Sequence, residues 1–203
     1  HGFHFYTGAP KKNWIIFYSI EQWASRLCDI IVTVNREDYQ RAKKMHAKSV
    51  KYIHGIGINP DRLSKDQTAT NIRQELNLKP DDFLVISVGE LNENKNHQVI
   101  IKALGKLKDS QIHYIICGKG DLLEKLKVLA TELEIQNNVH FLGYRMDVLD
   151  ICKQADLFVF PSHREGLPIA PLEAMYCGLP LLTSNIRGPV DFMKEEKTGY
   201  LCN

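Results

Sequence analysis

The sequence predicts an α/β fold built on a parallel sheet with helices on both faces. Three observations carry this. From residue 83 onward, short apolar runs alternate with helical patterns. The runs are continuously apolar rather than alternating, as strands buried on both faces must be. The composition, 44% hydrophobic and 25% charged, is that of an ordinary soluble globular chain and excludes disordered, collagen-like and mucin-like classes.

Residues 1–57 read as a different region. Gly2–Trp23 is rich in aromatics. Lys11–Leu27 (KKNWIIFYSIEQWASRL) is helical, with Trp14, Phe17 and Tyr18 on one face beside Lys11 and Lys12. Ile30–Val34 is a strand, Arg36–Met45 a polar helix and Val50–Ile53 a second short strand. Gly55, Gly57 and Pro60 then punctuate the chain, so a boundary falls there. Residues 1–57 are too few to bury a core of their own. They are expected to be the end of a preceding domain, with 58–203 a second domain that lacks its closing helix. The first residue, His1, is not Met, so the chain is expected to be cut from a longer one at both ends.

Within 58–203 the predicted strands are Phe83–Val88, His113–Cys117, Val139–Leu142, Leu157–Phe160 and Leu179–Thr183, with a further one at Gly199–Cys202. In 96–108, Val99, Ile100, Ala103, Leu104 and Leu107 share one helical face; Leu122, Leu123, Leu126, Leu129, Ala130 and Leu133 do so in 121–134. Asp121 and Glu124 have capping-box spacing at that second helix. A third helix covers 171–178, with Pro171 in its first turn, Gly178 as its cap and Pro180 as its stop. Strand–helix alternation of this kind is Rossmann-like.

Charge and cysteine usage narrow the function classes. Lys+Arg 26 against Asp+Glu 24 leaves a net charge of +2, too small for a nucleic-acid surface. No apolar run reaches the ~18–20 residues of a membrane span, and no signal peptide is recognised. The five cysteines, Cys28, Cys117, Cys152, Cys177 and Cys202, are widely spaced without a C-x-x-C, which argues for reduced thiols and a cytoplasmic setting. His97, His113, His140 and His163 lack metal-ligand spacing, and no metal site is expected.

The chemistry concentrates in Pro161–Pro180, PSHREGLPIAPLEAMYCGLP. Glu165 stands in a loop after an apolar strand, Gly166, Leu167 and Pro168 follow, and Glu173 lies eight positions after Glu165 on the next helix. Free backbone N–H groups at such a helix start bind phosphate. In an open α/β sheet this loop lies at the ligand crevice. Taken alone, Glu165 and Glu173 read equally well as exposed acids, and Lys95 reads first as a solvated loop lysine, raised only by its place after a strand and Gly89.

In combination these residues resemble a known family. Glu165-x7-Glu173 followed by Cys177-Gly178-Leu179-Pro180 is similar to the E-x7-E signature of retaining glycosyltransferases with the two-domain GT-B fold, the family 4 group (glycosyl transferases group 1). Val88-Gly89-Glu90-Leu91…Lys95, Cys117-Gly118-Lys119-Gly120 and Phe141-Leu142-Gly143-Tyr144 resemble, in order, its diphosphate loop, its Gly-x-Gly turn and its base-facing loop. The opening HGFHFYTGAPKKNW and NREDYQRAKK resemble bacterial capsule and exopolysaccharide members.

The resemblance implies a 2.4-class transferase that moves a sugar from a nucleoside-diphosphate sugar, a UDP-sugar by family expectation, to a saccharide or lipid-linked acceptor. No tightly bound cofactor is implied. Lys95 would hold the donor diphosphate and Glu165 the transferred sugar. His1 would lie near that sugar. Glu173 would accept from the ribose, and Gly143 and Tyr144 would line the base pocket. The backbone of Gly166, Leu167, Pro168, Ile169 and Ala170 would meet sugar and phosphate oxygens. Glu90 departs from the family's Arg. Two like charges ~4 Å apart at an effective dielectric of ~20 repel by about 4 kcal/mol, so Glu90 must turn from the diphosphate or reach a sugar hydroxyl. Residues 11–27 read first as a domain helix whose packing partners are cut away, and alternatively as an interfacial helix in peripheral contact with the inner face of the cell membrane. Competing readings are a nucleotide-sugar 2-epimerase-like enzyme and a non-catalytic nucleotide-sugar-binding fragment, since a piece with one wall of a cleft is expected to be inactive.

Overall fold

The structure is a computed structural model that describes residues 2–55, 57–58 and 71–203. The chain divides into two compact units. The first comprises His1–Gly57, Glu165–Pro168 and Ile186–Phe192; the second Ile58–Arg164, Ile169–Asn185 and Met193–Asn203.

In the first unit, helix α1 (Lys11–Ala24) runs into a 3-10 turn at Ser25–Leu27. Strand β1 (Ile30–Thr33) pairs in parallel with β2 (Ser49–Tyr52), and α2 (Arg36–Ala42) connects them. Helix α2 ends earlier than the sequence suggests. Lys44 and Met45 donate to the carbonyls of Arg41 and Ala42, a three-residue spacing that tightens the chain into a turn and buries Met45. The start of α2 is a reciprocal cap. The Asp38 N–H donates to Asn35 Oδ1 at 2.8 Å, and Asn35 Nδ2 donates to Asp38 Oδ2 at 2.8 Å. The fully buried ring of Phe5 is the centre of this unit. Tyr18 meets it edge-on at 5.2 Å and Trp14 at 5.6 Å, while Phe17 stacks on His4 at 4.7 Å. The aromatic face of α1 is therefore covered. The apolar side chains that α1 leaves exposed are Ile15, Ile16, Ile20 and Trp23, with Phe17 at the margin.

The second unit holds α3 (Ile72–Glu75), β3 (Phe83–Val88), α4 (His97–Leu107), β4 (Ile112–Cys117), α5 (Leu123–Glu132) and β5 (Val139–Gly143). There follow α6 (Val148–Cys152), β6 (Leu157–Phe160), α7 (Ile169–Tyr176), β7 (Leu181–Ser184) and β8 (Gly199–Cys202). The six strands form one parallel sheet in the order β5-β4-β3-β6-β7-β8. Successive side chains point to opposite faces. Val85, Tyr114, Ile116, Val139 and Val159 join Ile101 and Leu104 of α4 and Leu126 and Ala130 of α5 in one buried cluster. Each Val, Leu or Ile side chain among them contributes ~1.5–3 kcal/mol on burial. Helix α7 packs against β6, β7 and α6.

Two local expectations need correction. No capping box forms at α5, whose N-terminal residue Leu122 has no side-chain cap. The Leu122 N–H is bonded instead to the carbonyl of Leu91, and Leu123 N–H to that of Gly120, so the neighbouring loop takes the donors a cap would serve. Strand β7 starts at Leu181 rather than Leu179. The Leu179 N–H closes α7 by donating to Ala174 O, and Gly178 N–H donates to Met175 O. With Gly178 at φ 84° this is a complete left-handed cap, which occupies Gly178 and Leu179 and leaves only Pro180 before the strand.

Candidate functional site

Strand order reverses between β3 and β6, and in sheets of this topology the ligand crevice lies outside the carboxyl ends of the two strands at that reversal. Two loops emerge there. Residues 89–96 lead from β3 to α4, and 161–168 lead from β6 to α7. The second unit binds their near parts together. His163 N–H donates to Asn94 O at 2.8 Å, and Asn94 Nδ2 donates to Arg164 O at 3.0 Å.

Lys95 sits in the first loop, half-buried, with Nζ 4.9 Å from the centre of the Phe160 ring at the end of β6. Its cation therefore spans the reversal point and rests on the π face of the neighbouring strand's last residue. Its backbone is fixed too: Lys95 N–H donates to Asn92 Oδ1 at 3.0 Å, a local Asn turn. Asn92 Nδ2 in turn donates to Glu90 Oε2 at 2.8 Å. Glu90 is exposed, and this bond draws its carboxylate along its own loop.

Beneath the loop lies a buried polar cluster absent from the sequence reading. His97 opens α4 with only 3% of its surface exposed. Its Nε2 is 3.2 Å from the Glu90 carbonyl, and its Nδ1 is 3.1 Å from both Ser87 Oγ and Tyr114 Oη. Burial, reinforced by the nearby Lys95 cation, lowers its pKa to about 4. The imidazole is thus neutral near pH 7. With a proton on Nε2 it donates to Glu90 O and accepts at Nδ1. The turn after β4 presses on the same loop: a Cβ on Gly118 would lie 1.8 Å from Gly89 O, and one on Gly120 2.4 Å from Leu91 O. These two glycines permit close backbone approach.

After β5, Gly143 takes φ 66°, and Tyr144 is 71% exposed, which removes loop packing as the reason for its ring. Arg145 fastens that turn, with Nη1 on Glu75 Oε1 at 2.9 Å and Nη2 on Asp147 Oδ2 at 2.7 Å. Ile169 and Ala170 form the first turn of α7. Glu173, one turn later, is half-buried, and its charge adds to burial in raising the thiol pKa values of Cys152 and Cys177. Among the described residues no group of three or more His, Cys, Asp or Glu could hold a metal ion.

Glu165, Gly166, Leu167 and Pro168 belong to the first unit. The Glu165 carbonyl accepts from Arg187 Nε at 3.0 Å. Gly188, at φ 90°, lies against Gly166: a Cβ there would be 2.6 Å from Gly166 O. His1 lies outside the described residues. The structure therefore brings Glu90 and Lys95 together in one loop at the strand reversal. It carries Glu173 on the helix after β6, and packs the Glu165 loop with the first unit.

Residues 68–203 match the Glycosyl transferases group 1 family. The chain belongs to that family. Over 207 residues it is 34% identical to EpsD of Bacillus subtilis (strain 168), a protein named as a glycosyltransferase, covering 99% of this chain and 54% of EpsD. It is 29% identical, with the same coverage of both chains, to the Escherichia coli UDP-Gal:alpha-D-GlcNAc-diphosphoundecaprenol alpha-1,3-galactosyltransferase. The chain thus spans about half the length of these curated relatives. Among solved structures, Anabaena Alr3699/HepE in complex with UDP-glucose shares the fold with a TM-score of 0.77 at 21% identity, covering 100% of this chain and 57% of that one. A group 1 glycosyltransferase sheet with helices on both faces is the architecture the sequence predicted.

Proposed function

We propose that this group 1 chain is the donor-binding part, with the end of the acceptor-binding part, of a retaining glycosyltransferase of family 4. It moves a sugar from a UDP-sugar to a saccharide or lipid-linked acceptor during cell-surface polysaccharide synthesis. One observation carries the reading: Lys95, fixed by Asn92 and resting on Phe160, places a cation at the strand reversal where a diphosphate would lie. Residues 58–203 form the nucleotide-sugar domain and 1–57 the end of the acceptor domain. The name of the E. coli relative, with its UDP-galactose donor and diphosphoundecaprenol acceptor, supports the donor and acceptor classes. The UDP-glucose bound in the Anabaena structure supports the nucleotide.

The roles follow from chemistry. Lys95 holds the diphosphate through charge-assisted hydrogen bonds, about twice as strong as neutral ones. Glu173 accepts from the ribose, and Gly143 with Tyr144 receives the base. Glu165 and His1 contact the transferred sugar, and the amides of Gly166, Leu167, Ile169 and Ala170 meet sugar and phosphate oxygens beside Pro168. Glu90, bonded to Asn92, supports the loop rather than the phosphate. The bond from the anomeric carbon to the diphosphate breaks, and its electron pair leaves with UDP. The acceptor oxygen bonds to that carbon on the same face and passes its proton to the departing phosphate. Catalysis is positioning plus stabilisation of the leaving charge.

The enzyme works in the cytoplasm and touches the inner face of the membrane through 11–27. The exposed Ile15, Ile16, Ile20 and Trp23, flanked by Lys11 and Lys12, favour that contact. No described helix is long and apolar enough to cross a membrane.

The test is a thermal-shift screen of UDP-, GDP- and ADP-sugars on the full-length protein, followed by NMR of the product made from the best donor. A UDP-sugar and a product that keeps the donor's anomeric configuration are expected. Inversion, epimerisation of the donor without acceptor, or binding without turnover would each refute the reading.

A further inference from the structure

We infer that Arg187, which neither the sequence motifs nor the family resemblance assigns, is the positioning residue of the Glu165 segment. The inference rests on the proposed role of Glu165. In the first unit the Arg187 side chain is 3% exposed, and its guanidinium bonds a buried carboxylate and two backbone carbonyls. Nη1 donates to Asp38 Oδ1 at 2.7 Å, Nη2 to Phe3 O at 2.8 Å and Nε to Glu165 O at 3.0 Å. The Tyr6 ring lies 4.9 Å from its central carbon.

Asp38, 4% exposed at its side chain, is itself held by the N–H of Phe3 and by Asn35 Nδ2. One planar cation thus joins the segment that opens the chain to the segment that carries Glu165. Three neighbours close the seam. A Cβ on Gly2 would meet Arg187 Nη2 at 2.9 Å, one on Gly188 would meet Gly166 O at 2.6 Å, and one on Gly55 would meet Leu167 Cδ2 at 2.1 Å.

The consequence is directional. None of the described peptide bonds is cis. In a planar trans peptide, C=O and N–H point opposite ways. Holding the Glu165 carbonyl toward Arg187 therefore aims the Gly166 N–H away from it, and fixes the Cα from which the Glu165 side chain departs. Gly166 N–H and Glu165 are among the groups proposed to meet the donor. The rigid fork of a guanidinium supplies three donors in one plane, which a lysine ammonium does not reproduce.

The experiment compares Arg187→Lys, the charge-removed pair Asp38→Asn/Arg187→Gln, Glu165→Gln, and Arg187→Lys combined with Glu165→Gln, all in the full-length protein. UDP release from UDP-galactose and UDP-glucose with acceptor gives kcat and KM, calorimetry gives the UDP Kd, and thermal melts report folding. The Asp38/Arg187 pair leaves no lone buried charge, so it tests the idea even where Arg187→Lys does not fold. Arg187→Lys and the pair are expected to lose at least tenfold in kcat while UDP Kd stays within threefold of wild type. Arg187→Lys on the Glu165→Gln background is expected to cost no more than threefold further. Folded Arg187 variants that turn over within threefold of wild type, beside an impaired Glu165→Gln, would overturn the inference. Equal losses in UDP affinity and kcat would also overturn it, since they mark a general structural role. Wild-type turnover by Glu165→Gln would instead refute the role of Glu165, and Arg187 would be judged by its own rates.

Discussion

Replacing Gly118 by alanine puts a carbon 1.8 Å from the Gly89 carbonyl oxygen and 2.7 Å from its carbon, where contacts below 3.0 Å essentially never occur. Both atoms are backbone, so no side chain can rotate away, and β3 and β4 must part just where Gly89 N–H bonds Cys117 O at 3.0 Å. Overpacking of this kind costs ~1–3 kcal/mol, and backbone contact puts Gly118→Ala at the upper end. At ~2–4 °C per kcal/mol for a chain of this size, the melting temperature falls by about 6–12 °C. The displaced residues, Gly89 and Glu90, begin the loop that carries Lys95, so UDP affinity falls as well. Gly178→Ala is the comparison: φ is 84° there but nothing lies within 4 Å, so it carries only the left-handed cost of ~1–2 kcal/mol and leaves UDP binding unchanged. Circular-dichroism melts and UDP titration of the full-length variants measure both effects. A Gly118→Ala protein that melts within 2 °C of wild type (~0.5–1 kcal/mol), or binds UDP as wild type does, would refute the reasoning.

Acid sensitivity follows from the buried imidazoles. His97 and His140 both have pKa values lowered to about 4, His97 chiefly by burial and His140 by burial and the adjacent His113. Between ~4 and the unfolded value of ~6.5 the unfolded chain binds more protons, so stability is full above ~6.5 and is lost as pH falls. At pH 5 His97 alone accounts for ~2 kcal/mol, and urea denaturation of His97→Gln at pH 7.5 and pH 5 is expected to show a loss smaller by that amount. An unchanged pH slope would contradict the neutral, buried His97. For the membrane, liposome flotation of Ile16→Ser/Trp23→Ser is expected to show weakened binding to anionic vesicles, while Lys106→Ser on α4 changes nothing. No flotation by the wild-type protein would remove the contact.

The sheet is legible because buried parallel strands announce themselves as short apolar runs, and all six expected starts lie within two residues of the observed ones. Caps were harder. Asp121 and Glu124 had the right spacing, yet Leu91 O captures the Leu122 N–H. Asn35 and Asp38 have the same spacing and form the reciprocal bonds, yet nothing in the polar run that begins at Arg36 sets them apart. That polar reading also hid Asp38, only 3% exposed, because a buried ion pair has no sequence period; its partner Arg187 is 149 positions away. His97 lacks metal spacing, but it is an imidazole at the start of an apolar helix face, where burial forces it to find partners. The aromatic face of α1 looked free only because Phe5 and His4 precede the helix and fold back on it. Lys95 and Glu90 share a loop in sequence, but the Phe160 ring under the Lys95 cation belongs to a strand over sixty residues later.

The decisive measurement is calorimetric titration of UDP into the full-length protein and its Lys95→Ala and Glu173→Ala variants at fixed ionic strength. A hydrogen bond to a charged group is worth ~1.5–3 kcal/mol, so each variant, still folded, is expected to bind UDP ~10–150-fold more weakly. Affinities within twofold of wild type for both would show that neither the Lys95 cation nor the Glu173 carboxylate holds the nucleotide.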